Sequence, residues 1–115
     1  MIQCKRVYDP ANKNDGYRVL IDRLWPRGIR KEALVFDEWC KAVAPSAELR
    51  KALHSETIDF AAFQHQYQEE LKKAPQEVAR LAQKAQEGTL TLLYAARDTT
   101  QNHALVLADY LRQAL

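Results

Sequence analysis

The chain has 115 residues, of which 17 are Lys or Arg and 15 are Asp or Glu, and its formal net charge is +2. This length fits one compact domain over residues 1–115, and a hydrophobic content of 47% with 28% charged residues is ordinary for a soluble globular protein. The apolar runs are far shorter than the roughly 20 residues of a membrane helix, and no secretory signal is visible, so we expect no membrane segment and a cytoplasmic protein whose two cysteines are free thiols.

Positive charge is concentrated at the start of the chain. Residues 1–31 carry eight basic and three acidic side chains, a local net charge of +5. Such an excess attracts anions through the summed field, although an ordinary solvated basic surface has the same composition. A nucleic-acid or protein partner for this basic third is a further alternative, less favoured because the excess is modest.

Two strands are predicted in this basic third. Ile2–Tyr8 alternates partly between apolar and polar side chains. Residues 9–16 are dense in turn-forming residues and predict a loop. Tyr17–Trp25 contains the continuous apolar stretch Val19–Ile21, typical of a strand covered on both faces.

Helical periodicity begins near residue 33. Phe36, Trp39, Cys40 and Val43 fall at helical spacing, with Asp37 available as a cap, so a first helix is predicted here.

Three further helices are predicted before the next strand. Ser46 is a suitable N-cap for a short helix, and Asp59 for a longer one. Pro75 suits the first turn of the next helix, and Gly88 suits its end.

Thr89–Ala96 is uncharged and rich in β-forming residues, which predicts a buried strand, and a last helix follows the polar residues 97–103. Strands separated by helices require crossover connections and are therefore parallel. The predicted class is α/β, with a small, mostly parallel sheet covered by helices in three layers. Three strands make a narrow sheet, which leaves room for a further short strand.

Ligands of such sheets bind beyond the carboxyl ends of the strands, and residues 94–102 lie at one such end. The unpaired N–H groups that begin the following helix attract anions. Arg97 could clamp an oxyanion through two N–H groups, and Asn102 could donate a hydrogen bond. The alternative is structural: Thr99 or Thr100 caps the helix, and Asp98 pairs with Arg97.

Residues 22–28 lie at the other such end. Arg23 and Arg27 flank Trp25, an arrangement suited to stacking and salt-bridge recognition of a planar anion. In the alternative, Trp25 fills the core and the arginines pair with Asp22 or Glu32.

Histidines and cysteines give weaker signals. His54 could act as an acid, a base or a phosphate contact, or could be a surface group at a helix end; His65 and His103 occupy predicted polar positions and are expected to be solvated. No residues have metal-ligand spacing, so neither a metal nor a cofactor is expected. Cys4 lies in the first predicted strand and Cys40 on the apolar face of a predicted helix, and both thiols are expected to be buried and inert.

The motifs at the two strand ends resemble a bacterial family, the YeaO-like proteins, also called domain of unknown function 488. The similar stretches cover essentially the whole chain, and the most specific are Asp22–Gly28 and Tyr94–Asn102. The family has no established activity, so the resemblance implies a shared pocket rather than a reaction. Ser55 follows His54 where the family usually has an acid, which weakens a catalytic role for His54.

We therefore expect a basic, aromatic pocket that binds a small anionic or phosphorylated ligand, with a nucleotide among the candidates. The predicted lining is Arg23, Trp25, Arg27, Tyr94, Arg97 and Asn102. The alternative is a hydrolase or transferase acting on a phosphate or acyl group, for which the candidate catalytic residues are Asp22, His54 and Asp98.

Overall fold

A computed structural model describes residues 1–115 and shows one parallel sheet with four helices. The elements are β1 (Ile2–Arg6), β2 (Tyr17–Leu20), β3 (Glu38–Trp39), α1 (Ala47–His54), α2 (Phe60–Leu71), α3 (Pro75–Glu87), β4 (Leu90–Tyr94) and α4 (His103–Gln113). All strand pairs are parallel, in the order β1–β4–β2–β3. The α/β class is confirmed, and the sheet contains a fourth, short strand. None of the helices combines the length and the apolar character needed to cross a membrane.

Helix starts follow their predicted caps. The Ser46 side chain accepts a hydrogen bond from the backbone N–H of Leu49 at the start of α1. Asp59 does the same for Ala62 at the start of α2, and Pro75 occupies the first turn of α3. Ser46 and Asp59 each satisfy a backbone N–H group that has no partner inside its helix. Pro75 has no backbone N–H group, so none is left unpaired at its position.

The helix predicted from Phe36 to Val43 is wrong. This segment forms β3, followed by a 3-10 turn at Lys41–Val43. Without β3, β2 would be an edge strand with unpaired backbone groups; instead its Leu20 carbonyl accepts a hydrogen bond from Cys40 N at 2.9 Å. Pairing with β2 therefore outweighs the helical spacing of a few apolar side chains.

The two faces of the sheet are covered differently. A cluster of 21 buried residues joins one face, including Val19 and Leu92, to all four helices. On the other face a cluster of four buried residues, including Leu20 and Leu93, packs against chain that contains no helix or strand. We call this covering segment, residues 22–37, the loop layer. The sheet thus lies between a helical layer and the loop layer.

A buried charged cluster also lies on the loop-layer side. The Asp15 carboxylate pairs with Arg18, and at 3.1 Å with Lys5. The Arg18 guanidinium also donates through Nε to the carbonyl of Val35 at 2.6 Å. The cluster therefore anchors one end of the loop layer to the sheet.

Candidate functional site

The carboxyl edge of the sheet brings the two predicted segments together through Asp22. Its Oδ2 accepts a hydrogen bond from Ala95 N at 3.0 Å, and its carbonyl accepts one from Trp39 Nε1 at 2.6 Å. The ends of β2, β3 and β4 are thus joined at one residue, as the parallel arrangement predicts.

His103 is the main site residue that the sequence analysis placed wrongly. It is not solvated: its side chain is 13% exposed, and its Nε2 lies 2.8 Å from Asp22 Oδ1. Both atoms are sealed from water, and neither makes a well-aligned hydrogen bond. The ring packs edge-on against Tyr67 and Tyr94. Its position directly after the cap residue Asn102, at the first position of the helix that follows β4, is the signal that could have placed it here.

Arg23 and Trp25 are anchored by backbone carbonyls. Arg23 is half-buried and donates to the carbonyls of Pro45 at 3.1 Å and Ala44 at 3.3 Å. Trp25 donates from Nε1 to Ile29 O at 2.6 Å, and its ring packs edge-on against two neighbouring aromatic rings in and beside the loop layer. The Arg23 guanidinium pairs with no carboxylate, so the alternative in which it pairs with an acid is not found.

Arg27 and Arg97 are both exposed, and neither has a carboxylate within 4.0 Å. Two residues that the sequence analysis did not select connect the segments of Arg27 and Arg97. They are Arg6, the last residue of β1, and Tyr8, which follows β1. Tyr8 donates its hydroxyl to the Arg27 carbonyl at 2.9 Å. The Arg6 guanidinium lies 4.7 Å from the centre of the Tyr8 ring and donates to the carbonyls of Ala95 and Ala96.

The signal for Arg6 and Tyr8 was available. Both lie at the carboxyl end of β1, and the rule that selected the ends of the other two predicted strands applies equally to this one.

Asn102 and Asp98 form the turn that leads into α4. Asn102 is buried, accepts from Leu105 N at 3.0 Å, and donates to Asp98 O at 2.9 Å. Asn102, rather than Thr99 or Thr100, is therefore the helix cap. Asp98 accepts hydrogen bonds from the backbone N–H groups of Thr100 and Gln101, and these bonds lower the pKa of its carboxyl.

Tyr94 and His54 differ in exposure. Tyr94 is buried at the end of β4, and burial is the main cause that raises the pKa of its hydroxyl. His54 is exposed at the last position of α1, and its side chain makes neither a hydrogen bond nor an ion pair.

The cysteine thiols are held in the protonated form. Burial is the main cause that raises the pKa of Cys4 to about 11, and Cys4 donates to the Ala104 carbonyl. Burial, together with the neighbouring Glu77, raises the pKa of Cys40 to about 11. The thiolate is the nucleophilic form, so neither cysteine is activated. The two residues that directly follow β4 are alanines, so this strand end carries no thiol.

One group of metal-ligating residue types comes together only in three dimensions. Atoms of Glu38, Cys40 and Glu77 lie within 4.8 Å of one another. The Arg80 guanidinium donates to both carboxylates, and these hydrogen bonds are the main cause that lowers the pKa of each glutamate. The Arg80 guanidinium therefore already supplies the positive charge that a bound cation would bring to these two carboxylates.

Two surface cavities flank the sheet and the helices. One, of about 430 Å³, lies between the end of β1 and the loop layer, and its lining includes Tyr8, Arg18, Gly28, Ile29, Arg30 and Leu34. The other, of about 460 Å³, lies between α2, α3 and the end of α4, and its lining includes Leu71, Lys72, Val78, Tyr110 and Gln113. The first cavity adjoins the residues that follow β1 and the residue after Arg27, and none of the six residues predicted to line a pocket lines either of these two cavities.

Comparison with known proteins identifies the family. A model described as the inactive DUF488-N3 subclade matches residues 1–115. The uncharacterised protein YeaO of Escherichia coli K12 is 63% identical over 111 residues, which cover 96% of each chain. The uncharacterised protein Rv3073c of Mycobacterium tuberculosis H37Rv is 41% identical over 110 residues, covering 96% of this chain and 92% of that one. No solved structure matches. The chain therefore belongs to the DUF488 family, in its inactive N3 subclade, which confirms the YeaO-like resemblance.

Proposed function

We propose that this member of the DUF488 family binds a small anionic or phosphorylated compound at the carboxyl edge of its sheet, and that it does not turn this compound over. The observation that carries the proposal is the unbalanced charge of the arginines at this edge. Arg23, Arg27 and Arg97 have no carboxylate partner. Among the other arginines, Arg18, Arg80 and Arg112 pair with carboxylates, whereas Arg30 and Arg50 do not.

A fourth guanidinium strengthens the positive potential of the edge. Arg6 donates only to backbone carbonyls and lies over the Tyr8 ring, so it too keeps its full charge. Guanidinium groups near a water-exposed edge bind oxyanions through charge-assisted hydrogen bonds. The nearby carboxylates of Asp9 and Asp98 accept hydrogen bonds from backbone N–H groups instead of pairing with these guanidinium groups.

Binding is favoured over turnover by the state of the reactive groups. Asp22 Oδ1 is sealed from solvent, and Asp98 Oδ1 already accepts three hydrogen bonds. The two thiols are protonated because burial raises the pKa of both. The subclade's description as inactive points the same way.

A thermal-shift screen tests this proposal. The purified chain is heated with inorganic phosphate, sugar phosphates and nucleotides in turn. A ligand present at 100 times its Kd stabilises the fold by about 2.7 kcal/mol, which corresponds to a rise in Tm of several degrees in a domain of this size. We expect the rise to disappear in Arg97→Ala.

Lys73→Ala is the matched control. It removes one positive charge from an exposed position just after α2. The neighbouring residue Lys72 lines the second cavity together with Gln113, the last residue of α4. Since α4 begins at the carboxyl edge, its end lies at the opposite side of the molecule. The proposal is overturned if no anion raises Tm, if the hits survive Arg97→Ala unchanged, or if Lys73→Ala abolishes them equally.

A further inference from the structure

The cavity beside Tyr8 is shaped for more than an anion. It holds about 430 Å³, and seven of its twelve lining residues are hydrophobic. Ile29 and Leu34 form part of this apolar wall. An inorganic phosphate gains nothing from an apolar wall, whereas a larger organic ligand can bury part of its surface against it.

Tyr8 belongs to both the cavity and the arginine-rich edge. Its ring lines the cavity and is 45% exposed. Arg6 lies over the same ring, and the Tyr8 hydroxyl holds the backbone of Arg27. A ligand that stacks on Tyr8 therefore lies within reach of positively charged groups.

Arg18 supplies a polar contact inside the cavity. The residue is only 4% exposed and lines the cavity. Its Nε donates to the Val35 carbonyl and its Nη1 to Asp15, while its Nη2 makes no hydrogen bond to the protein. The remaining Nη2 can donate a hydrogen bond to one acceptor atom of an organic ligand, such as a ring carbonyl oxygen or a ring nitrogen of a heteroaromatic base.

We infer that the ligand of this protein is a nucleoside monophosphate, whose base enters the cavity and stacks on Tyr8 while its phosphate meets the arginines of the carboxyl edge. This inference rests on the proposed anion-binding function and adds the part of the ligand that the anion site does not recognise. The base makes the apolar and Arg18 contacts, and the phosphate makes the contacts with Arg97 and its neighbours.

Isothermal titration calorimetry with three probes separates the two parts. We expect GMP to bind at least tenfold more tightly than ribose 5-phosphate, which carries the phosphate without the base. Guanosine, which carries the base without the phosphate, is expected to bind more weakly than GMP. Stacking of one base on an aromatic side chain accounts for a difference of this size.

Variants assign each contribution to its residue. Tyr8→Phe loses only the hydroxyl that holds the Arg27 backbone, whereas Tyr8→Leu loses the ring as well. Tyr8→Leu is expected to bind GMP about tenfold more weakly than Tyr8→Phe does, while the two variants bind ribose 5-phosphate equally. Arg97→Ala is expected to weaken both phosphorylated probes. Tyr110→Leu, in the cavity among the helices, is the control and is expected to change none of the affinities.

The outcomes distinguish this inference from the proposed function. If ribose 5-phosphate binds as tightly as GMP, or if Tyr8→Leu binds GMP as tightly as Tyr8→Phe does, the nucleotide inference is overturned and the anion site stands. If guanosine binds as tightly as GMP and Arg97→Ala has no effect on either, the anion site itself is overturned.

Discussion

The two faces of the sheet differ in how they are covered and in how many buried residues they contribute. The helix-covered face contributes to a cluster of 21 buried residues. The loop-covered face has four, with half-buried aromatic side chains at its margin. The cavity beside Tyr8 lies on the second side, where Val7 and Leu34 belong both to its lining and to the smaller cluster.

The loop layer is held by a few specific polar contacts rather than by a large apolar area. Trp25 bonds to the Ile29 carbonyl, and Arg18 bonds to the Val35 carbonyl. Such a layer can present backbone and charged groups to a ligand, because helices on the opposite face supply most of the apolar burial. The comparison predicts that equal substitutions on the two faces have unequal effects.

The largest expected effect comes from two neighbouring residues of β4. Leu92 and Leu93 are both fully buried, but Leu92 faces the helical cluster and Leu93 the loop layer. We expect Leu92→Ala to lower the free energy of unfolding by about 4 kcal/mol and Leu93→Ala by about 2 to 3 kcal/mol, because the loop layer relaxes more easily into the space. Urea denaturation measures both, and equal or reversed losses would remove the distinction between the faces.

A slightly smaller effect is expected at the charged cluster. Asp15→Asn leaves the buried Arg18 without its carboxylate and is expected to cost about 3 kcal/mol at pH 7. Burial raises the pKa of Asp15. Hydrogen bonds from Asn12 N, Lys5 and Arg18 lower this pKa by more than burial raises it, so the net pKa lies below its usual value.

The pH dependence of this cost follows from that direction. A carboxyl whose pKa is lower in the folded state stabilises the fold above its unfolded pKa of about 4 and loses this contribution as the pH falls through the folded value. The difference between wild type and Asp15→Asn should therefore shrink in urea titrations at acid pH. Asp109→Asn, in an exposed pair with Arg112, is the control and should change stability little at either pH. A difference that grows in acid would contradict the assignment.

The smallest effect sharpens the description of the loop layer. Trp25→Phe keeps an aromatic ring but removes the donor to the Ile29 carbonyl, and we expect a loss of about 1 kcal/mol. Hydrogen exchange should show faster opening near Ile29, whereas the amides of α2 and α4 should be unchanged. Equal acceleration in the helices would show that the loop layer is not an independent unit.

Much of this fold was predictable because it is encoded locally. Ser46, Asp59 and Pro75 place the starts of three helices within the sequence itself. The uncharged run around Leu92 identifies the central buried strand. Caps and apolar runs act over a few residues, so neighbours in the chain are sufficient to reveal them.

The errors concern groups whose partners are distant in the chain. Trp39 has helical spacing but lies in a strand, because β2 offers backbone partners about twenty residues earlier. His103 occupies a polar helix position but is enclosed by Asp22, Tyr67 and Tyr94. Periodicity reports the neighbours of a residue along its own element and carries no information about such distant contacts.

The sequence alone determined the α/β class, the parallel strands and the edge at which polar side chains gather. These depend on local propensity and on the chain order of strands and helices. Only the tertiary structure decided which of those side chains have hydrogen-bond partners within the fold, as Arg23, Asn102 and Asp22 do. Arg27 and Arg97 are exposed and have no such partners. The reason is that a hydrogen-bond donor or a charge is satisfied by whatever lies within about 3 Å of it in space, and the folded path of the chain sets that distance.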